Sequence, residues 1–530
     1  MTRRLWWVGL LAAGCGGGSA GTVDGGQVDA AVSADAGGPD AAPLSNPGPG
    51  EWPMFKRDLA HTGLAPGRGG ITAATLCEKW PARTVTVADT RGASGALIAT
   101  LDGIPTILVA VQGCPGRTNF ACSSPPGKVV ALRGSDGAER WTYNLPAGVE
   151  ADPYAPLVAD IDGDGYRELV TPSSNTNQVF VVRAEAEPGG AAGTLQWAYQ
   201  AVDTCARSET APVALDLDGD PGLEIGLGTD VDLCVDGVKP KFYAFDGARA
   251  ETQEGAPFEG LIRPQTTCPG GRKMDSSSPA VATVDGKPTL FVGSWDGHLY
   301  ALQFEAGRLV RKWDAPLPPS AQSCPIRKVR AGPVVADIVP GGPLEVAFPY
   351  MEDAGPNDDF TTGRLRILSA SGLTEVGDVH VCAWKSSPSV ADLDGNPQNG
   401  LEIVGGDCTG YYMVRQTTPG VFAPAYDKVY GGVGNNGAGN RSSPAIADID
   451  GAAATGGDPA LEVIMGIEGT SNPGVIAFAG TTGDIKWSHP VPGGGVTAAV
   501  AIGNLDSDSN LELVFFAFDG KVHALDDRCP

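Results

Sequence analysis

The feature that most constrains the fold of this 530-residue chain is a motif that recurs at nearly constant spacing. Its clearest copy is ADIDGDGYRELV, at residues 159–170. The first aspartate of the motif, or the residue in its place, falls at positions 100, 160, 216, 283, 337, 392, 448 and 504. Successive copies are 54 to 67 residues apart, which defines eight units. A fixed period of this length predicts an array in which each unit packs on its neighbours.

Each unit contains the same four short β-rich segments. A first apolar segment precedes the aspartates, and a second starts at the motif's glutamate, as in ELVTP. The third resembles KVVALRG, and the fourth often carries a tryptophan, as in GAERWTY. Enrichment in β-branched and aromatic residues at this spacing argues against helical repeats. The pattern predicts an all-β fold, an eight-bladed β-propeller of four-stranded blades.

The eighth unit ends after its third segment, KVHALDDRCP, and therefore lacks a fourth strand. The segment LCEKWPARTVTV, at residues 76–87, can supply that strand from the other end of the chain. A ring closed in this way leaves no open strand edge. In an antiparallel pair, the end of the third strand lies beside the start of the fourth. We therefore predict a disulfide between Cys77 and Cys529.

The other cysteines also suggest disulfides. Ten cysteines remain besides Cys15, and an even number in an exported chain favours disulfides over metal ligation. No CxxC pair occurs, and none of the five histidines is spaced like a zinc site. Sequence does not determine connectivity, so the pairings that repeat position suggests are hypotheses. They are Cys205–Cys234, Cys382–Cys408, Cys268–Cys324 and Cys114–Cys122.

The first 15 residues, MTRRLWWVGLLAAGC, combine a short basic region with an apolar run. The run is too short to span a bilayer, which takes about 20 residues, so it predicts an export signal. AAGC resembles a bacterial lipobox, which implies cleavage before Cys15 and lipidation of its thiol. The alternative is an ordinary secretory signal with an incidental cysteine. We expect an exported protein, lipid-anchored at the outer membrane or cell surface, that contacts the membrane only through the lipid.

Composition separates a tether from the folded body and limits the partners. Residues 16–50 are rich in Gly, Ala, Asp and Pro and contain no aromatic residue, which predicts a disordered tether. The propeller then spans residues 51–530. The chain has 37 Lys and Arg against 62 Asp and Glu, a net charge of −25. Such a surface repels phosphate backbones, so we expect no nucleic-acid binding, and it attracts divalent cations.

Two families of propeller repeat resemble parts of the chain. The DxDGDG…ELV copies resemble the FG-GAP/VCBS repeats of integrin-like propellers. The VxALxxxxGxxxW segments and WPMFKRDLAHTG, at residues 52–63, resemble the PQQ-like repeats of bacterial lipoproteins. Together the resemblance covers residues 51–530 and implies the fold, but propellers host enzymes, lectins and scaffolds alike. We expect no PQQ, because no adjacent Cys-Cys pair occurs and the recurring tryptophans have positions typical of packing residues: Trp141, Trp197, Trp313 and Trp487.

The FG-GAP-like resemblance also implies calcium as a cofactor, at about three sites. In such loops, positions 1, 3 and 5 supply carboxylates, position 7 a backbone carbonyl and position 9 a carboxylate, and calcium accepts six to eight oxygens. The matching residues are Asp160, Asp162, Asp164, Tyr166 and Glu168; Asp216, Asp218, Asp220, Gly222 and Glu224; and Asn504, Asp506, Asp508, Asn510 and Glu512. Insertions weaken two further copies, Asp392, Asp394 and Asn396, and Asp448, Asp450 and Asp458.

Two alternatives to calcium ligation stay open. Each loop could be an Asp/Gly turn without metal. In DIVPGGPLE the second and third carboxylates are lost, yet Glu345 remains. The glutamate could therefore be structural, accepting backbone N–H bonds.

The motifs do not identify an activity. The sequence contains no HExxH motif and no Walker loop. We predict a monomeric binding or scaffolding module for a glycan or a protein. The alternative is a calcium-dependent polysaccharide lyase or hydrolase, because some such lyases are eight-bladed calcium propellers that this architecture resembles. An enzyme of that kind needs basic residues near the substrate carboxylates. Two loops contain basic residues that would form such an anion-binding patch. The alternative is that these residues only neutralise the charge of neighbouring carboxylates. They are Arg272, Lys273, Arg327, Lys328 and Arg330.

Overall fold

The computed structural model describes 18 stretches of the chain, and every regular element in them is a β-strand. The described residues are 47–85, 94–113, 125–151, 154–200, 208, 210–220, 222–231, 239–247, 252–253, 257–259, 277–318, 328–351, 363–382, 385–408, 410–430, 441–451, 461–468 and 472–528. In these stretches no helix has the length and apolar character needed to cross a membrane. The predicted signal segment and Cys15 lie outside them.

Three short strands precede the repeats: β1 (Leu64–Arg68), β2 (Cys77–Glu78) and β3 (Arg83–Thr84). Blade 1 contains β4 (Leu97–Leu101), β5 (Ile104–Val111), β6 (Lys128–Arg133) and β7 (Glu139–Asn144). Blade 2 contains β8 (Leu157–Ala159), β9 (Glu168–Pro172), β10 (Gln178–Arg183) and β11 (Leu195–Gln200). Blade 3 contains β12 (Val213–Leu215), β13 (Glu224–Gly228), β14 (Lys241–Asp246), β15 (Thr252–Gln253) and β16 (Phe258–Glu259). Blade 4 contains β17 (Ala280–Val284), β18 (Lys287–Gly293), β19 (His298–Phe304) and β20 (Leu309–Pro316).

The remaining four blades repeat the pattern. Blade 5 contains β21 (Val334–Ala336), β22 (Glu345–Met351), β23 (Gly363–Ser369) and β24 (Glu375–His380). Blade 6 contains β25 (Ser389–Ala391), β26 (Glu402–Gly406), β27 (Gly410–Thr418) and β28 (Val421–Val429). Blade 7 contains β29 (Ala445–Asp448), β30 (Glu462–Ile467), β31 (Gly474–Ala479) and β32 (Ile485–Pro490). Blade 8 contains β33 (Ala501–Gly503), β34 (Glu512–Ala517) and β35 (Lys521–Asp526).

Each blade is an antiparallel sheet whose strands follow chain order, which confirms the eight-bladed propeller. The first strands of most neighbouring blades contact one another, so they are the innermost strands. Each blade is apolar on both faces because it packs between two neighbours, and the second strands are accordingly buried along almost their whole length.

The N-terminal segment closes the ring as predicted. Both β2 and β3 pair antiparallel with β35, with Cys77 opposite Asp526 and Arg83 opposite Val522. Cys77 takes part in a disulfide, while its predicted partner, Cys529, lies outside the described residues. The fourth strand of blade 8 therefore comes from the start of the chain.

One predicted disulfide is present among the described residues. Cys382 and Cys408 are bonded, with their Cα atoms 5.3 Å apart. It joins the residues that precede the first strand and follow the second strand of blade 6. The cysteines of the other three predicted pairs lie outside the described residues: Cys114, Cys122, Cys205, Cys234, Cys268 and Cys324.

The fourth-strand aromatic residues pack between blades. The indole Nε1 of Trp313 in blade 4 donates to the Ala370 carbonyl of blade 5, at 3.2 Å. Trp80 does the same across the closure, donating to the Gly134 carbonyl of blade 1 at 2.9 Å. Trp197 and Trp487 are buried as well. The rings of Trp313 and Trp80 thus lie beside the turn after the third strand of the next blade.

The sequence did not predict that residues 52–63 line the centre of the ring. The backbone N–H groups of Val158, Val281, Val335, Val390 and Ile446 donate to carbonyls of residues 53–63, at 2.7 to 3.1 Å. Residues 52 and 98 form a further bridge, so the innermost strands of six blades bond to one short segment. Strand β1 then runs parallel to β29 of blade 7.

Candidate metal centres

The loop between the first two strands of blade 2 is held in a tight turn by its own aspartates. Asp160 accepts the backbone N–H groups of Gly163 and Gly165 at 2.8 and 2.9 Å, and Asp164 accepts that of Tyr166 at 2.9 Å. Gly163 and Gly165 have φ angles of 78° and 90°, a region that glycine enters without strain. Oxygens of Asp160, Asp162 and Glu168 lie within 4.8 Å of one another.

Glu168 reaches this loop from the start of the second strand and is fully buried. Its Oε2 accepts the backbone N–H of Ile161 at 2.9 Å. Its Oε1 is also buried, and among the described residues it has no hydrogen-bond partner. Burial, together with the charges of Asp162 and Asp160, raises the pKa of Glu168 to about 8. A buried carboxylate oxygen that faces two further carboxylates fits a hard divalent cation such as calcium.

The hydrogen bond to the backbone recurs in six blades. In each, the glutamate that begins the second strand accepts the N–H of the residue following the motif's first position, at 2.5 to 2.9 Å. The glutamates are Glu168, Glu224, Glu345, Glu402, Glu462 and Glu512. Glu345 makes two such bonds, to Ile338 and Val339. The structural role suggested for the glutamate is therefore present, and it does not require a metal.

Blade 3 repeats the arrangement of blade 2. Asp216 accepts the Gly219 N–H at 2.6 Å, and Asp218 accepts that of Asp220 at 3.0 Å. Oxygens of Asp216, Asp218 and Glu224 lie within 4.8 Å of one another. The Oε1 of Glu224 is buried without a hydrogen-bond partner in the described part of the chain. Burial and the loop aspartates raise the pKa of Glu224 to about 8.

Blade 6 carries the same cluster despite its longer loop. Asp392 and Asp394 both accept the Asn396 N–H, at 2.9 and 3.0 Å. Their carboxylates group with Glu402, whose Oε1 is again buried and unpartnered within the described residues. Burial, with these two charges, raises the pKa of Glu402 to about 7. The insertion that made this copy look weaker lies between Asn396 and Glu402, and the three carboxylates still meet.

In blade 8 a lysine lies beside the predicted calcium ligands. The Lys79 ammonium, from the closing segment, is 2.6 Å from Asp506 Oδ2, 2.7 Å from Asp526 Oδ2 and 3.6 Å from Glu512 Oε1. Although burial opposes it, hydrogen bonding to the two aspartates raises the pKa of Lys79. The amide of Asn504, the first predicted ligand, donates to the carbonyl of residue 508 at 2.5 Å. This loop already contains a cation.

In blade 7 a lysine likewise lies beside the acidic residues of the loop. Lys486 Nζ is 2.6 Å from Glu462 Oε1 and 2.9 Å from Asp450 Oδ2. Arg68 of β1 pairs with Asp448 at 3.2 Å, and Asp458 lies outside the described residues. The glutamate oxygen left unpartnered in blades 2, 3 and 6 therefore binds an ammonium here. The sequence prediction treated both loops as metal sites because it could not place these cations beside them.

Only part of the predicted anion patch is described. Arg272, Lys273 and Arg327 lie outside the described residues. The Lys328 ammonium is 4.0 Å from the ring centroid of Trp295, and the Arg330 guanidinium is 5.1 Å from it. Both distances are typical of cation–π contacts. The two basic residues of blade 5 are thus held against an aromatic ring in the turn between β18 and β19.

Buried polar residues of the N-terminal segment bond inside the ring. Lys56 is fully buried, and its ammonium donates to the Pro444 carbonyl at 2.7 Å and to the Ser389 hydroxyl. Burial lowers the pKa of Lys56. His61 Nδ1 lies 3.0 Å from the Pro333 carbonyl, and burial lowers the pKa of His61 to about 3. This segment therefore occupies the inner wall of the ring with groups whose partners belong to the protein itself.

Comparison with known proteins shows the fold. No protein-family model matches the sequence, and no curated protein gives a significant match. A europium-containing methanol dehydrogenase superposes with a TM-score of 0.57 at 12% identity, covering 88% of this chain and 89% of its own. The quinohemoprotein alcohol dehydrogenase ADHIIG of Pseudomonas putida HK5 gives a TM-score of 0.56 at 12% identity, covering 92% and 84%. Identity this low shows a shared propeller fold and carries no activity across.

Proposed function

We propose that this protein is an exported, lipid-anchored propeller of the FG-GAP/VCBS type that binds or scaffolds a glycan or a protein at the cell surface. The observation that favours binding on the faces of the ring is the N-terminal segment inside it. Residues 52–63 bond to the innermost strands of six blades, and their buried polar groups take partners from the protein itself. That inner wall is therefore part of the core, and the loops on the two faces are left for a partner.

Calcium has a structural role in this proposal. The loops of blades 2, 3 and 6 would hold it through oxygens, chiefly those of Asp160, Asp162 and Glu168 and their equivalents. A bound cation would balance the negative charge of the buried glutamate. The protein's own residues shape each loop through the aspartate-to-backbone hydrogen bonds and anchor the glutamate on a backbone N–H. The role resembles that of Lys79 and Lys486 in blades 8 and 7.

A second candidate is a polysaccharide lyase or hydrolase that acts on an acidic chain. The observation that favours it is the contact of Lys328 and Arg330 with Trp295. An aromatic ring flanked by two cations offers a stacking surface for a sugar and charges for its carboxylates. An enzyme would additionally need a proton acceptor at this surface.

A polysaccharide panel tests both candidates. The chain from residue 16 onward would be incubated, with calcium present, with acidic and neutral polysaccharides, and both retention and chain cleavage would be scored. If the partner is a glycan, the proposal predicts that the protein retains a polysaccharide without cleaving it. If the partner is a protein, it predicts that neither acidic nor neutral polysaccharides are retained. Cleavage would establish the enzyme instead. Arg330→Ala should reduce any binding of acidic chains, whereas Arg133→Ala, an exposed arginine of blade 1, should not.

A further inference from the structure

Two histidines and a glutamate meet where the closing strand joins the last two blades. Glu78 lies on β2, His523 on β35 of blade 8 and His489 on β32 of blade 7. Glu78 Oε1 is 2.9 Å from His523 Nδ1 and 3.1 Å from His489 Nε2. One nitrogen or oxygen of each residue lies within 4.8 Å of those of the other two.

Ring closure creates this cluster. Glu78 pairs with Leu525 across the β2–β35 ladder. Side chains alternate along a strand, so His523, two residues before Leu525, lies on the same side of the sheet as Glu78. His489 reaches this side from the outer strand of blade 7. Residues more than 400 positions apart in the chain are thereby brought into contact.

We propose that Glu78, His489 and His523 form a zinc site that ties the closing strand to blades 7 and 8. The ligand types and their spacing both fit. In a tetrahedral zinc site with bonds of about 2.0–2.1 Å, neighbouring ligand atoms lie about 3.3 Å apart. The two distances from Glu78 Oε1 need to lengthen by only a few tenths of an ångström for an ion to enter.

The hydrogen bonds of His523 favour a cation at its Nδ1. Its Nε2 lies 3.2 Å from Asp519 Oδ2, and its ring stacks on Phe515 with centroids 5.0 Å apart. A neutral imidazole has one N–H, and in the tautomer that carries it on Nε2 the ring donates to Asp519. The lone pair of Nδ1 then faces the carboxylate of Glu78, so two hydrogen-bond acceptors face each other without a proton between them. A cation bound between them removes this repulsion. A carboxylate behind a ligating histidine is the usual support of a zinc site.

Glu78 supplies a second indication. Its Oε2 is buried and has no hydrogen-bond partner among the described residues, although Oε1 faces both histidines. A metal bound by this carboxylate would bring Oε2 close to the ion as well. A water molecule can complete the coordination, since the Glu78 side chain is 31% exposed.

The ligand types separate this site from the calcium loops. The loops of blades 2, 3 and 6 offer only oxygen ligands, which suit calcium. Two imidazoles with one carboxylate suit zinc and its neighbours in the first transition row. The two metals should therefore occupy different parts of the same ring without competing.

Zinc and cobalt titrations test the proposal. The chain from residue 16 onward would be stripped of metal, saturated with calcium to fill the oxygen-only loops, and titrated with Zn²⁺ by calorimetry and with Co²⁺ by visible absorption. We expect one zinc ion per chain and the intense cobalt bands of four-coordinate geometry. His489→Gln and His523→Gln should abolish both signals, and Asp519→Asn should weaken binding by about 10- to 100-fold.

His298→Gln is the matched control, because His298 also lies beside a carboxylate, 2.8 Å from Asp314, but on blade 4. This variant should bind zinc like the parent chain. Thermal melts in calcium alone would show whether each variant is folded, and a misfolded one would be replaced by Glu78→Gln. Absence of zinc binding to the folded parent chain would overturn the proposal and leave a charged histidine–glutamate network. Binding that persists in both histidine variants would overturn it equally.

Discussion

At the scale of single residues, the glutamate that ends the motif does two separable things. One oxygen accepts a backbone N–H in six blades, and this anchors the loop to the second strand. The other oxygen faces the aspartates. In blade 5 the loop has lost its second and third carboxylates, and Glu345 Oε2 accepts two backbone N–H groups. The backbone hydrogen bond thus gives the glutamate a role in a loop that lacks the second and third carboxylates.

Glu168→Gln tests this separation of roles. The amide oxygen of glutamine still accepts the Ile161 N–H but brings no charge for a cation. We expect the variant to fold, and to lose one site's share of the calcium stabilisation, about 2.7 kcal/mol when calcium is at 100 times the Kd. Unfolding midpoints with and without calcium measure it. Glu345→Gln is the control and should respond to calcium like the parent; an equal loss in both variants would contradict the assignment.

Lys79 provides a second test at this scale. Its ammonium contacts Asp506 and Asp526 and lies near the buried Glu512. Lys79→Met leaves these carboxylates without their cation, and removing one partner of a buried ion pair costs about 3–5 kcal/mol. We expect that loss in chemical unfolding without calcium, and a partial recovery when calcium is added. A loss of the same size in both conditions would show that calcium cannot replace the ammonium.

At the scale of elements, the loop between the first two strands couples stability to pH. Without a cation, burial beside the aspartates raises the pKa of Glu168 and Glu224 to about 8. In the unfolded chain a glutamate titrates near its ordinary pKa of about 4.3. The folded state holds the proton more tightly, so this stabilisation is complete below the unfolded pKa and is lost as pH rises through about 8.

The metal-free protein should therefore become less stable between about pH 5 and pH 8, by up to a few kcal/mol in total. Calcium, if bound as proposed, would supply the compensating charge, so the protein in calcium should show a flatter profile. Melting temperatures across this range, with and without calcium, check the prediction. Metal-free stability that rises with pH across the window would contradict it.

The N-terminal segment is the other element whose packing can be tested. Gly63 has a φ of 69°, and a Cβ there would lie 2.5 Å from Ser389 Oγ and 2.9 Å from Lys56 Nζ. Gly63→Ala adds crowding to backbone strain and should destabilise the protein by about 1–3 kcal/mol more than strain alone. Gly103→Ala is the control, because Gly103 has a φ of 72° with nothing within 4 Å of its Cβ position. Equal melting temperatures for the two variants would show that the segment shifts to accommodate the added methyl group, and would contradict the prediction.

At the scale of the whole molecule, the period of the motif predicted the ring, because each blade repeats the same local pattern of strands and turns. The missing fourth strand of the last unit likewise predicted closure by residues 76–87, and β2 and β3 confirm it. Both inferences depend on the order of the segments along the chain, which a sequence displays directly.

What the sequence did not reveal depends on contacts between distant parts of the closed ring. Lys79 contacts Asp506, and Glu78 contacts His489, only after the closing strand has taken its register on β35. The lysine in blade 7 also comes from a different strand than the acids that it neutralises. A useful signal was nevertheless present, because the CEKW segment places two charged residues in the segment that was predicted to close the ring.

The measurement that tests the account most directly is the unfolding midpoint of the metal-free chain before and after calcium alone is restored. The account predicts a clear rise, because the buried glutamates of blades 2, 3 and 6 each gain a cation beside an oxygen that has no hydrogen-bond partner among the described residues. Adding calcium without zinc keeps the histidine site out of the result. An identical midpoint in both conditions would contradict the account and would make these loops metal-free Asp/Gly turns.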